Sequence, residues 1–309
     1  MKSIYIAGHT GLVGSALLRR FSGRPELKVI TAARAELDLL DSRAVERFLK
    51  AEKPEAVVIA AGRVGGIAPN SERPAEFIYE NLMIETNLIH SSWKAGVPRL
   101  LNFGSSCMYP KEAAQPMRSE ELGTGKMEPT SEAYATAKWA GLALTRAYRA
   151  QYGARYITAI PATVYGPGDN FDPKEGHVLS AFITRFHQAK EQSQPNVLLW
   201  GSGTPRREFL YSDDLAEACE RLLERYDEAE PINVGSGQAC SIRELAGEVA
   251  RVVGFRGETI WDSSHPDGAP EKRLESSRIR TLGWSPKTEL RTGLERTYEW
   301  FLSRQGVHV

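Results

Sequence analysis

Along this 309-residue chain, short apolar runs alternate with segments whose apolar residues recur at helical spacing. Residues 4–7, 28–31, 56–60, 100–103 and 156–160 are runs of the kind made by strands buried on both faces. Between them, residues 12–21, 41–52, 77–94 and 132–152 carry helical patterns. In 41–52, Val45, Phe48 and Leu49 share one face, and Asp41 or Ser42 is placed to cap the start. Strand alternating with helix implies right-handed crossovers and a parallel sheet covered on both sides. The expected class is α/β, a doubly wound parallel sheet of Rossmann type.

Beyond Pro161 the alternation loosens. Residues 166–176 (GPGDNFDPKEG) have the composition of a loop. Helices are expected at 178–190, 213–226 (capped by Asp213), 242–253 and 290–303, and strands at 197–200, 232–234 and 259–261. This divides the chain into a dinucleotide-binding Rossmann domain, 1–164 and 209–234, and a smaller C-terminal α/β substrate lobe, 165–208 and 235–309.

Composition removes several functions. Lys and Arg number 39, as do Asp and Glu, so the formal charge is zero. A nucleic-acid partner is therefore not expected, because displacing counterions from phosphates needs a surplus of cations. Cys107, Cys219 and Cys240 form neither an even set nor a close pair, which argues against a disulfide frame or a metal site and for a reducing compartment. MKSIYIAGHTGLVGS lacks the long apolar core of a signal peptide, and no apolar run is long enough to span a membrane. A soluble cytoplasmic protein is expected.

Two local patterns carry chemistry. Gly8, Gly11 and Gly14 stand between the first strand and first helix, where glycine permits a tight turn and close approach of backbone to a pyrophosphate. The helix-terminal amides, Leu12 and Val13 among them, then face the phosphates. The tip of the second strand offers Arg34 and no nearer carboxylate, which favours NADP(H), with Arg34 on the 2′-phosphate. Further on, Tyr134 and Lys138 lie at i, i+4 on a helix, where an ammonium stabilises a neighbouring phenolate. Such a pair gives a proton to a carbonyl oxygen during hydride transfer, with Ser105 on the other side of that oxygen.

These patterns, with RVGGIAPN at 63–70, GSSCMYP at 104–110, YGPGDNF at 165–171 and WGSGTPRREFLYSDD at 200–214, resemble the extended short-chain dehydrogenase/reductase superfamily. Within it the chain looks like the family of GDP-4-keto-6-deoxy-mannose 3,5-epimerase–4-reductases. The resemblance implies a GDP-sugar substrate, NADP(H), a homodimer and two activities at one site. It makes Cys107 and His177 the pair that moves protons at carbons 3 and 5, and Ser105, Tyr134 and Lys138 the reducing set. It adds Pro161 and His177 to the cofactor side and assigns Arg185, Trp200, Arg207 and Lys272 to the nucleotide sugar. Three positions depart from the family pattern: Thr10 stands for an Arg, Thr163 for an Asn and Glu271 for an Arg. Another 4-keto GDP-sugar, a heptose or deoxy variant, is the alternative substrate, and a non-catalytic NADP-sensing regulator the alternative of another class.

Overall fold

The computed structural model describes residues 1–264 and 267–305. In chain order the first part runs β1 (Ser3–Ala7), α1 (Leu12–Ser22), β2 (Lys28–Ile30), α2 (Ser42–Glu52), β3 (Ala56–Ile59), α3 (Ile67–Glu72), α4 (Pro74–Lys94), β4 (Arg99–Phe103), α5 (Glu132–Tyr152) and β5 (Arg155–Pro161). It continues with β6 (Thr163–Tyr165), α6 (Val178–Glu191), β7 (Asn196–Trp200), β8 (Arg206–Tyr211), α7 (Ser212–Arg225) and β9 (Ile232–Val234). The last elements are β10 (Ala239–Ser241), α8 (Ile242–Val253), β11 (Glu258–Asp262), β12 (Glu271–Lys272), α9 (Ser277–Thr281) and α10 (Leu290–Arg304).

Six parallel strands form the main sheet in the order β2-β1-β3-β4-β5-β9. Strand periodicity explains why both faces are apolar. Ile4 and Ile6 join a core with Leu17 and Phe21 of α1 and Leu215 and Leu222 of α7. Tyr5 and Ala7 point the other way, to Val45 and Leu49 of α2 and Leu88 of α4. Each such fully buried Leu or Ile contributes about 1.5–3 kcal/mol relative to exposure. This is the doubly wound α/β fold. The strand order grows outward from β1 in both directions, so the switch point lies between β1 and β3, where ligands of such sheets bind beyond the strand ends.

Local chemistry sets the helix ends. Asp41 caps α2 by accepting from the amides of Arg43 at 2.9 Å and Ala44 at 3.0 Å. Helix α4 begins at Pro74 rather than at 77, with proline in the first turn, where its missing N–H costs nothing. Asp213 is not the cap of α7, contrary to expectation. The helix starts at Ser212, and Asp213 lies in its first turn, paired with Arg19 of α1 at 2.6 Å. A carboxylate there complements the helix dipole and also ties two helices together.

The segment after β5 holds more strand than its composition suggests. β8 pairs with β6, β10 and β12 in a small four-stranded sheet, and β7 pairs with β11, among the described residues. Residues 209–211, expected to begin the return to the main sheet, belong to β8. The return is made by α7 and β9, the latter parallel to β5. Tyr165, Leu179, Ile183, Phe186, Leu245, Val249, Leu294 and Phe301 form a second core. Pro266 and residues 306–309, parts of the expected second lobe, lie outside the described residues. No described helix is long and apolar enough to cross a membrane.

Candidate active site

The glycine turn is built by backbone crowding at the switch point. Gly8 has φ +83, and a Cβ there would stand 2.6 Å from the backbone of Ala61, at the end of β3. A Cβ on Gly14 would stand 2.0 Å from the Gly8 carbonyl oxygen. Both positions therefore require glycine for α1 to abut β1. Gly11 precedes α1, and no side chain caps that helix, so the first-turn amides at Leu12, Val13 and Gly14 are offered to an external acceptor. His9 beside them has a buried Nδ1 with no partner. An anion cradle fits these observations. Arg34 is exposed in the turn after β2, which lies beside β1, and makes no ion pair among the described residues. Pro161 ends β5, and Thr10 is exposed in the glycine turn.

At the end of β4, Ser105 precedes a short 3-10 turn that carries Cys107. The Cys107 amide donates to Ser105 Oγ at 3.2 Å. Helix α5 brings Tyr134 and Lys138 to the same place, with the Lys138 ammonium 5.9 Å from the Tyr134 ring centroid. Tyr134 and Cys107 are half-buried, and Lys138 is buried. Burial pushes the Tyr134 phenol up. Cys107 and Glu85 add to that, and Lys138 and a hydrogen bond with Ser105 oppose it. Thus Ser105, Cys107, Tyr134 and Lys138, separated in sequence, share one site.

Lys272, which the resemblance assigns to the nucleotide sugar, stands beside the thiol, with Nζ 3.9 Å from Cys107 Sγ. The cause is the register of the small sheet, which pairs Lys272 of β12 with Arg207 of β8. Burial opposes ionisation of Cys107. The Lys272 ammonium, hydrogen bonds with the Ser105 and Ser131 hydroxyls, and the Arg207 guanidinium together hold the thiol below its usual value. Burial alone raises Cys219 far above the thiol range and, with Glu244, takes Cys240 to about 11. At neutral pH a thiol-alkylating reagent is therefore expected to label Cys107 well ahead of the other two, as read by peptide mass mapping. Lys272→Gln is expected to slow that labelling and move its pH midpoint upward. Equal labelling of Cys107 and Cys240 would contradict this account.

His177 precedes α6, with Nδ1 4.0 Å from Asp169 Oδ1, whose carboxylate is nearly inaccessible. Arg185 of α6 stacks over Trp200 at 5.3 Å and donates to the Pro173 carbonyl at 3.2 Å. Trp200 is 54% exposed at the end of β7, beside this guanidinium. Glu271, where the family pattern has Arg, pairs with Arg273 at 3.3 Å. Thr163 lies on β6, also beside β8.

Sequence reasoning missed two carboxylates. Glu85 of α4 accepts from Lys138 at 2.6 Å, and Glu208 of β8 accepts from the amides of Gly237 at 2.6 Å and Leu274 at 2.7 Å. Glu208 holds the segment after β12 and the loop after β9 against the small sheet. The signal for Glu208 was its place inside the apolar end of REFLY. Glu85 gave none, because a Glu in a mixed helix pattern looks solvated.

A glycine turn at the switch point of a doubly wound sheet, together with a Ser/Tyr/Lys set gathered at the end of β4, is the arrangement of a dinucleotide-dependent epimerase or reductase. The chain belongs to the NAD dependent epimerase/dehydratase family, whose model matches residues 4–235. It is 52% identical to the GDP-L-fucose synthase of Sinorhizobium fredii over 98% of this chain and 96% of that protein. A GDP-6-OMe-4-keto-L-xylo-heptose reductase from Campylobacter jejuni superposes with a TM-score of 0.92 at 36% identity, covering 98% of each chain. A GDP-mannoheptose C4 reductase from the same organism, solved with NADP bound, gives a TM-score of 0.88 at 37% identity, covering 97% of this chain and 98% of that one.

Proposed function

We propose that this protein converts GDP-4-keto-6-deoxy-mannose to GDP-L-fucose, epimerising carbons 3 and 5 and then reducing the carbon-4 ketone with NADPH. The observation that carries this is the ionisable Cys107 thiol, 3.9 Å from Lys272 and hydrogen-bonded to Ser105, in the site that also holds Tyr134 and Lys138. One crevice then offers a base for a C–H bond and an acid for the ketone oxygen. The Sinorhizobium relative's name and the NADP in the mannoheptose reductase support the same reading.

The ketone acidifies the C–H bonds on either side of it, and Cys107 as thiolate removes the proton. His177, at the start of α6, returns one on the other face. Ser105 and Tyr134 hold the enolate oxygen with hydrogen bonds that strengthen as charge develops. Tyr134 afterwards gives its proton to that oxygen, and Lys138 stabilises the phenolate left behind. NADPH, when bound, supplies the hydride for carbon 4. The amides of Leu12, Val13 and Gly14 hold its pyrophosphate, with Gly8 and Gly11 permitting the approach. Arg34 meets the 2′-phosphate, and Lys138, Pro161 and His177 border the nicotinamide side. Trp200 under Arg185 receives the guanine, while Arg207 and Lys272 meet the sugar diphosphate edge next to Cys107.

A second reading keeps the chemistry and changes the sugar. Thr163 and Glu271 both sit on strands flanking β8, and the heptose reductase superposes closely. The deciding experiment offers a panel of 4-keto GDP-sugars with NADPH or NADH in deuterated water and identifies products by NMR. GDP-L-fucose carrying deuterium at carbons 3 and 5 is expected with NADPH. Absence of NADPH consumption with GDP-4-keto-6-deoxy-mannose sinks the first reading, and faster turnover of a heptose establishes the second.

We also propose a homodimer through α4 and α5. Trp93 and Tyr152 stack there at 4.3 Å, and Tyr152 is 45% exposed. Light scattering is expected to give twice the 34.2 kDa chain mass, and a monomer would end this proposal.

A further inference from the structure

Under the Tyr134/Lys138 pair lies a carboxylate that the chemistry above does not use. Glu85 is 1% exposed, and its Oε1 accepts from Lys138 Nζ at 2.6 Å. Its other oxygen, Oε2, is buried without a geometrically satisfied partner, as is the amide of Asn102 on β4 beside it. The pocket exists because of a glycine. Gly141 follows Tyr134 and Lys138 on the same face of α5, and a Cβ there would stand 1.7 Å from Glu85 Oε2 and 2.8 Å from Asn102 Nδ2. Two helices thus close on each other around a desolvated ion pair. Such a pair is a poor source of stability compared with apolar packing, which points to a task beyond holding α4 to α5.

We propose that Glu85 is a positioning residue of the reduction, anchoring the Lys138 ammonium beneath Tyr134 and keeping it charged there. This rests on the epimerase–reductase reading above. Glu85 acts only through Lys138. Lys138 faces Glu85 from α4 and Tyr134 from its own helix. Tyr134 faces Cys107 and Ser105 from the segment after β4, and Asn102 lies against Glu85, whose own carboxyl burial pushes up while Lys138 and Asn102 hold it down. Burial works against the Lys138 charge, yet the Glu85 carboxylate and Tyr134 outweigh it and hold the amine above the usual lysine value. A folded-state amine raised in this way stays protonated as pH rises. Without Glu85 the burial remains and the counter-charge is gone, so Lys138 loses its proton at lower pH. The phenolate formed when Tyr134 gives up its proton then has no cation beside it.

The test follows NADPH oxidation with GDP-4-keto-6-deoxy-mannose across pH for wild type, Glu85→Gln and Glu85→Asp, with melting temperatures for Glu85→Gln, Lys138→Met and the double variant. In Glu85→Gln the alkaline limb of kcat/KM is expected to move down by about one pH unit or more, because an unpaired buried amine is shifted by up to several units. Activity on the acid side is expected to stay nearer wild type. Glu85→Asp, with its charge kept on a shorter arm, is expected between the two, and it carries the readout if Glu85→Gln does not fold. A limb that stays put, or a loss uniform across pH, overturns the proposal. In the melting cycle, removing Glu85 from the Lys138→Met protein is expected to restore stability, since the lone buried charge disappears with it. Additive losses there overturn the proposal. A wild type that never turns over this sugar defeats the functional reading alone, and the melting cycle, which uses no substrate, still decides whether Glu85 and Lys138 act as a unit.

Discussion

Tyr134→Phe is expected to lower the rate of NADPH oxidation by about 10²–10⁴-fold, the usual contribution of a positioned general acid. In the proposed mechanism the phenol protonates the carbon-4 oxygen, and the lysine below it, 5.9 Å from the ring centroid, acts on that oxygen only through it. Phenylalanine keeps the ring, its edge contact with Phe77 at 6.4 Å and the helix face, so folding is expected to be unaffected. Exchange of the protons at carbons 3 and 5 with deuterated water is expected to continue at a reduced rate, because Ser105 still donates to the enolate oxygen. The measurement is NADPH absorbance together with NMR of the recovered sugar. Reduction at the wild-type rate would remove Tyr134 from the mechanism and favour a non-catalytic role for the chain.

Cys107→Ser is expected to show the complementary loss. Deuterium incorporation at carbons 3 and 5 should fall by about 10²–10⁴-fold, since an alcohol has no accessible anion to act as base. Lys272 and Arg207 favour ionisation of a thiol whose reference pKa is about 8.5, whereas a serine hydroxyl is too weak an acid for the same charges to ionise it. Ser105, Tyr134 and Lys138 are untouched, so a ketone supplied already epimerised is expected to be reduced at close to the wild-type rate. For wild type, exchange is expected to rise with pH through a midpoint below that of an ordinary thiol, because the folded-state pKa is depressed. If the serine variant exchanges both protons normally, another base performs the epimerisation.

Much of the frame was legible in the order of residues. β1, β3 and β4 are buried on both faces, which leaves short apolar runs, interrupted in β4 by Asn102, that little else produces. The small sheet was not legible to the same degree. β12 is two residues long, and β8 begins with two arginines, because one end of it is exposed while the other is in the core. Asp213 shows how a local rule loses to packing: its carboxylate serves Arg19 across two helices rather than the start of its own.

The candidate site divides in the same way. Gly8, Gly11 and Gly14 and the i, i+4 spacing of Tyr134 and Lys138 are local facts, because a turn and a helix face are set by neighbours in the chain. Lys272 reaches Cys107 across 165 residues, and Glu85 reaches Lys138 across 53. The sequence by itself determined the doubly wound sheet and the glycine turn, and its resemblance to a family singled out the candidate proton-moving groups. Only the tertiary structure decided which charges stand beside them. A charge in water says little about its neighbours, whereas one buried against a thiol or an ammonium sets when that group holds its proton.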